Sequence, residues 1–212
     1  MNDVLYDFLD NFVVVYLDDI VIYSKRMKNH AIHLLKVLNR LKEHELFVKR
    51  EKYEFTKSDI MFLGHLIGKG RVKMDPWKIQ VIVEWSVPKT VPELRFFFGL
   101  INYYRWFIEG YSKKIVPLSY PLKNNQRWEW SIDYYQTFEK LKTTVTLALV
   151  LGLSDFDRPF KVHIDASNRA IEGVLVQEGH PIAFESQKFN DVEQKYSIHK
   201  KEMTTTMHCL GV

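Results

Sequence analysis

Two short runs of β-branched and aromatic residues near the N-terminus predict a β-hairpin. Residues 12–16 and 20–23 are apolar, and Asp18 and Asp19 lie between the two runs. Because such runs favour extended strands, we expect the two aspartates at the hairpin tip. Over residues 24–46, apolar residues recur at helical spacing among basic side chains, which predicts an amphipathic helix. Strand-like patterns follow at residues 46–55 and 60–67.

Capping residues predict three helices in the middle of the chain. Asp75 opens a short helix, Thr90 opens one that runs to about residue 108, and Ser131 opens one that runs to about residue 146. These side chains accept hydrogen bonds from the first turn of a helix. Pro117 and Pro121 are expected to interrupt any helix in the stretch before Ser131.

Shorter strand signals predict a second unit after about residue 155. Apolar and polar residues alternate over residues 160–165, with Val162 and Ile164 on the face expected to be buried. Two further short strands and a helix follow, at residues 174–177, 182–184 and 192–210. The chain as a whole is predicted to be of the α+β class.

Composition and charge are those of a globular protein with a basic middle segment. Hydrophobic residues make up 46% of the 212 residues and aromatic residues 14%, which is enough for a substantial core. The net charge of +4 is unevenly spread, since residues 61–130 carry 11 basic and 5 acidic side chains. Such a segment is typical either of contact with a phosphate backbone or of a solvated, lysine-rich surface.

Cysteine use and hydropathy narrow the expected compartment. The chain has one cysteine, Cys209, which excludes an internal disulfide framework and a multi-cysteine zinc site. The N-terminus lacks signal-peptide features, and the longest apolar stretch, residues 145–153, is too short to cross a bilayer. We therefore expect an intracellular protein of the cytoplasm or nucleus, not a secreted one, without a membrane partner.

The adjacent acids Asp18 and Asp19 are the sharpest candidate for chemistry. Like charges this close repel each other, and a divalent cation removes that cost. A pair of cations can hold both the attacking and the leaving oxygen of a phosphoryl transfer. From these two residues alone, the alternative is an ordinary turn, in which aspartate is common.

The motifs around this pair resemble those of reverse transcriptases from gypsy-type long-terminal-repeat retrotransposons, followed by those of the linked RNase H domain. The reverse transcriptase motifs are Val13-Val14-Val15-Tyr16-Leu17-Asp18-Asp19-Ile20, Phe62-Leu63-Gly64-His65, Asp75-Pro76-x-Lys78-Ile79, Asn102-Tyr103-Tyr104-Arg105-x-Phe107-Ile108 and Trp128-x-Trp130. The RNase H motifs are His163-Ile164-Asp165-Ala166-Ser167, Gly173-Val174-Leu175-x-Gln177, His180-Pro181-Ile182-Ala183 and Lys201-Glu202-Met203. One motif would be weak, but the collinear order of this many makes the resemblance to a Pol polyprotein specific.

This resemblance implies an architecture and two metal sites. It implies a partial palm with the primer grip over residues 1–70 and a mostly helical thumb and connection over residues 71–154. Residues 155–212 would form the N-terminal half of an RNase H-like domain, a βββα unit. Catalytic, Mg²⁺-binding carboxylates of two-metal sites are implied in the palm and in the RNase H-like unit, namely Asp18 and Asp19, and Asp165 and Glu202.

The implied partner is an RNA/DNA template–primer. The residues implied to contact the primer are Tyr16 at its end and, along the strand, Phe62, Leu63 and Gly64. In the thumb and connection, the residues that we expect to contact the nucleic-acid backbone are Arg95, Arg105 and Lys113. The neighbouring aromatic residues of the third motif, Tyr103, Tyr104 and Phe107, are expected to pack in the core. No small molecule besides the nucleotide substrate is implied, and no oligomeric state is predicted.

The resemblance also implies that both active sites lack parts. In the family a third palm carboxylate lies upstream of the hairpin, and a third RNase H aspartate follows the first helix. Neither has a counterpart in this sequence. We therefore expect a retrotransposon-derived fragment, truncated at both ends, of an RNA-directed DNA polymerase and RNase H, inactive on its own. The alternatives are a non-enzymatic nucleic-acid binder and a relic without function.

Overall fold

A computed structural model of the protein describes residues 1–123, 126–148, 150–166 and 170–210. Ser167 of the resemblance motifs lies outside these residues. The chain divides into two compact units, residues 1–56 and residues 57–212. Among the described residues, no helix is both long and apolar enough to cross a membrane.

The first unit consists of the predicted hairpin and helix. Strands β1 (Val13–Tyr16) and β2 (Asp19–Ile22) pair antiparallel, and α1 spans Met27–Glu43. The predicted strand at residues 46–55 is wrong, because this segment is irregular apart from one 3-10 turn. Half of the residues in the segment are charged, and the side chain of Phe47 is 94% exposed, so no continuous apolar face stabilises a strand there.

The second unit begins with a small antiparallel sheet. Its strands β3 (Asp59–Phe62), β4 (His65–Gly68), β5 (Arg71–Met74) and β6 (Leu151–Gly152) are hydrogen-bonded in that order. The sequence predicted one strand at residues 60–67, but the structure has a hairpin that reverses at Leu63 and Gly64. Both residues have positive φ, 47° and 68°, and this conformation ends β3 after Phe62.

Four helices contribute most of the core of the second unit, and the predicted caps open three of them. These helices are α2 (Pro76–Val83), α3 (Val91–Tyr103), α4 (Tyr111–Ser119) and α5 (Ile132–Thr146). Asp75, Thr90 and Ser131 each accept a hydrogen bond from a first-turn amide, as predicted. Helix α3 is shorter than expected because a 3-10 turn takes over at Arg105–Phe107. Pro117 was expected to interrupt helical structure but lies inside α4.

The last part of the second unit is the predicted βββα arrangement. Strands β7 (Lys161–Ala166), β8 (Ala170–Gln177) and β9 (His180–Lys188) form an antiparallel sheet, and α6 spans Ile198–Leu210. The α+β class is confirmed. Val162 and Ile164, expected to be buried, are 38% and 39% exposed. Strand β7 lies at the edge of the described sheet, so its outer side has no neighbouring strand.

Candidate nucleic-acid and metal sites

The aspartate pair lies at the end of the β1–β2 hairpin. Tyr16 pairs with Asp19 across the ladder, so the reversal consists of Leu17 and Asp18. The predicted tip position holds for Asp18, whereas Asp19 is the first residue of β2. All four side chains are exposed. The two carboxylates are therefore open to solvent and to any ligand that approaches the tip.

The base of this hairpin is fixed while its tip projects. Val13 is fully buried in the core of the first unit. Beyond β2, Ser24 Oγ lies 2.7 Å from His33 Nδ1 on α1, and the His33 ring stacks on Phe12 with centroids 4.0 Å apart. At the tip, Leu17 adopts φ 52°, a left-handed conformation that costs a non-glycine residue roughly 1–2 kcal/mol. A positive φ at the first residue of a two-residue hairpin loop is the conformation that type I′ and II′ turns require, although leucine is rarely found there.

The donor chemistry of the tip fits a hard divalent cation. Adjacent carboxylates supply the oxygen ligands that Mg²⁺, Ca²⁺ and Mn²⁺ prefer. Within the described residues, however, no group of three or more His, Cys, Asp or Glu side chains is close enough to hold a metal ion. Asp18 and Asp19 thus suit part of a coordination shell rather than a closed protein cage.

The turn at Leu63 and Gly64 in the second unit is held by aromatic residues from the end of α3. The Tyr103 hydroxyl donates to the Leu63 carbonyl, and the Tyr104 hydroxyl donates to the Gly64 carbonyl at 2.9 Å. Core packing was predicted for both tyrosines. It is confirmed for Tyr104, which is fully buried, but Tyr103 is 42% exposed. The third aromatic residue of the motif, Phe107, is buried as predicted.

Two of the three basic residues predicted to contact the nucleic-acid backbone form ion pairs with the βββα unit. Lys113 Nζ lies 2.8 Å from Glu172 Oε1, and Arg105 Nη2 lies 3.9 Å from Glu185 Oε2. Both cations remain about half-exposed, so part of each stays open to an anion. Arg95 is exposed on α3.

Asp165 and Glu202 line one open depression of about 490 Å³, together with Ile164, His199, Met203 and Thr206. Asp165 comes from β7 and Glu202 from α6, which packs against that strand. His199 Nδ1 lies 3.9 Å from Glu202 Oε2, one helical turn away. The structure therefore brings the two predicted carboxylates to the same surface, in contact with solvent.

A second acidic residue lies opposite Asp165 on the neighbouring strand. Glu172 is its register partner on β8, and like charges directly opposite each other destabilise a sheet. The Lys113 ammonium lies against Glu172 and offsets this repulsion. Sequence reasoning had singled out Lys113 for nucleic-acid contact, and its pairing with Glu172 could not be foreseen.

Two side chains of these sites were not among the predicted site residues. Lys78 Nζ lies 4.7 Å from the Tyr103 ring centroid, beside the Gly64 turn. His199 accompanies Glu202 in the depression. The i, i+3 spacing of His199 and Glu202 on a predicted helix is a signal that could have found the second, whereas the position of Lys78 depends on long-range packing.

Comparison with family models gives two matches. Residues 1–67 match the reverse transcriptase (RNA-dependent DNA polymerase) family, and residues 130–211 match the RNase H-like domain found in reverse transcriptase. The two matches cover both hairpin aspartates and both acids of the depression.

Curated relatives come from retrotransposons. The chain is 37% identical over 204 residues to the retrovirus-related Pol polyprotein from transposon 297 of Drosophila melanogaster. It is 33% identical over 215 residues to the transposon Tf2-3 polyprotein of Schizosaccharomyces pombe. These alignments take in 96% and 99% of the chain but only 19% and 16% of the relatives, so the chain spans less than a fifth of their length.

Solved structures agree in fold. The foamy viral protease-reverse transcriptase in complex with RNA/DNA hybrid matches with a TM-score of 0.89 and 25% identity, over 99% of this chain and 29% of that one. The same viral protein in complex with dsDNA matches with a TM-score of 0.86 and 26% identity, over 98% of this chain and 45% of that one.

Proposed function

We propose, from the premise that this chain is a reverse transcriptase and RNase H-like segment of a retrotransposon Pol polyprotein, that it serves RNA-directed DNA synthesis in a gypsy-type element. The observation that carries this proposal is the pair of exposed carboxylates, Asp18 and Asp19, on a strained hairpin whose base is locked.

In this proposal the hairpin acts at the primer end. Divalent metal ions are the usual cofactors of these families, and we take the ion to be Mg²⁺ held by Asp18 and Asp19. When bound, such ions stabilise charge on the attacking and leaving oxygens of nucleotidyl transfer. Tyr16, exposed beside Asp19, lies against the primer terminus.

The second unit contacts the nucleic acid and carries a second metal-binding pair. Phe62, Leu63 and Gly64 position the primer strand, and the exposed cationic groups of Arg95, Arg105 and Lys113 meet backbone phosphates. Asp165 and Glu202, in one depression, contribute to hydrolysis of the RNA strand of a hybrid. The corresponding division is palm and primer grip over residues 1–70, thumb and connection over 71–154, and RNase H-like unit over 155–212.

We expect the 212-residue polypeptide by itself to bind nucleic acid without copying it. Each described site presents two carboxylates, and two carboxylates hold a pair of divalent cations only weakly. The net charge of +6 over residues 61–130 favours a second candidate function, that of a non-enzymatic nucleic-acid binder.

Fluorescence anisotropy with a labelled RNA/DNA template–primer, followed by primer extension in Mg²⁺, tests both candidates. We expect affinity that falls steeply with salt and no extension. Primer extension by the wild type would contradict the expected inactivity. If Asp18→Asn abolished that extension and the exposed control Asp3→Asn retained it, the polymerase assignment would be strengthened. Failure to bind at low salt would contradict both functions.

A further inference from the structure

The turn at Leu63 and Gly64 depends on contacts from outside its own hairpin. Leu63 has φ 47°, a conformation that leucine rarely adopts. A two-residue turn with both residues at positive φ is normally built from Asn-Gly or Gly-Gly. Because Leu63 has no side-chain group that could stabilise this conformation, the surroundings must hold the backbone in place.

Two hydroxyl groups hold the turn through its carbonyl oxygens. The Tyr103 hydroxyl donates to Leu63 and the Tyr104 hydroxyl donates to Gly64, so each turn residue is fixed by its own tyrosine. Burial raises the pKa of Tyr104 to about 12, so its hydroxyl keeps its proton at physiological pH. Adjacent residues at the end of α3 therefore fix both peptide planes of the turn.

A cation and an imidazole complete the support. Lys78 Nζ lies over the Tyr103 ring, and a Cβ on residue 64 would lie only 2.8 Å from that Nζ. The His65 ring stacks on Tyr103 with centroids 5.3 Å apart. Gly64 thus leaves room for an ammonium group directly beneath the turn, and the tyrosine ring holds that ammonium in place.

We infer that Tyr103, with Tyr104 and Lys78, is a positioning residue that sets the backbone of the Leu63–Gly64 turn for the primer strand. The inference rests on the proposed function, which assigns this turn to the primer. Core packing alone does not account for Tyr103, because its side chain is substantially exposed while its hydroxyl is committed to the turn. Its removal should therefore affect recognition of a primer end more than it affects the fold.

Tyr103→Phe is the most direct test, because it keeps the ring and deletes only the hydroxyl. Tyr135→Phe, at an exposed position on α5, is the matched control. We expect Tyr103→Phe to weaken binding of a recessed primer–template about fivefold, which is the effect of one ordinary hydrogen bond. Binding of a blunt duplex should stay close to the wild-type value, and the melting temperature should fall by no more than a few degrees, because only one partly exposed hydrogen bond is lost. Equal losses on both duplexes, or no loss on either, would overturn the inference.

Amide chemical shifts separate this inference from the proposed function. In ¹H–¹⁵N spectra of the full chain, Tyr103→Phe should move the signals of Leu63 and Gly64, whereas Tyr135→Phe should leave them in place. If the wild type binds neither duplex, the proposed function fails, and the shifts alone decide whether Tyr103 sets the turn. Unmoved Leu63 and Gly64 signals would overturn that role whatever the binding result.

Discussion

Asp18 and Asp19 are neighbours in the chain, whereas Asp165 and Glu202 line one depression only because α6 packs against β7. The hairpin pair needs one two-residue turn for its geometry. The second pair needs a sheet, a helix and the contacts between them. A change in packing should therefore separate the acids of the depression and leave those of the hairpin together, and the following predictions use this difference.

The largest effect is expected where α6 lies closest to the sheet. A Cβ on Gly173 of β8 would lie 2.5 Å from Cys209 Sγ on α6. Gly173→Ala should therefore force the Cys209 side chain to turn away or α6 to shift, and should lower the free energy of unfolding of the second unit by about 1–3 kcal/mol. Urea denaturation measures the loss, and the hairpin amide signals should not move.

Two further variants test the cause of this loss. Gly99→Ala lies in α3 with open space around the new methyl group, so it should stabilise the protein by about 0.5–1 kcal/mol. Adding Cys209→Ala to Gly173→Ala removes the clashing sulfur and should restore most of the loss. A double variant as unstable as Gly173→Ala would show that the helix contact is not the cause.

The hydroxyl of the buried Tyr104 in the second unit should contribute more to stability than that of the exposed Tyr23 in the first unit. Tyr104 is fully buried and its hydroxyl donates to Gly64, whereas Tyr23 is 42% exposed and its hydroxyl donates to Asp10 at 3.0 Å. Tyr104→Phe leaves a carbonyl without its partner and should cost about 1–2 kcal/mol. Tyr23→Phe should cost about 0.5 kcal/mol. Equal losses in chemical denaturation would contradict this account.

A smaller effect should appear as a pH dependence confined to the second unit. Burial lowers the pKa of His65 below its usual 6.5. A hydrogen bond with the Leu63 backbone opposes this shift in the pKa, and the charge of Lys78 adds to it to a smaller extent. The unfolded chain therefore takes up this proton first, so the stabilisation is complete above about pH 6.5 and is lost as pH falls through the folded-state pKa.

His65→Asn should flatten this pH dependence of the melting temperature. His44→Asn is the control, since His44 is exposed at the end of α1 in the first unit. The control should follow the wild-type curve at every pH. A wild-type slope that survives in His65→Asn would assign the proton to another group.

Sequence patterns predicted what local chemistry determines. The apolar runs on either side of Asp18 and Asp19 predicted the first hairpin, and the hydrogen-bonding side chains of Asp75 and Ser131 predicted helix starts. The reversal at Leu63 escaped prediction because leucine is not a turn residue and its conformation is held by tyrosines 40 positions away. Strand β6 also escaped, since two residues carry no periodic pattern.

Ion pairs between residues far apart in the chain could not be predicted from the sequence either. Nothing local links Lys113 to Glu172 or Arg105 to Glu185, and both contacts arise only when the helical region packs on the β8–β9 sheet. The exposure of Val162 and Ile164 was missed for a related reason. Their alternation predicts a covered face but does not show that β7 lies at the edge of the described sheet.

The most direct test of the central claim is the paramagnetic effect of Mn²⁺ on the amide signals of the full chain. We predict selective broadening around Asp18 and Asp19 at low Mn²⁺, reversed by excess Mg²⁺ and lost in Asp18→Asn but not in Asp3→Asn. The account would be contradicted if the hairpin signals stayed sharp, or if they broadened equally in Asp18→Asn.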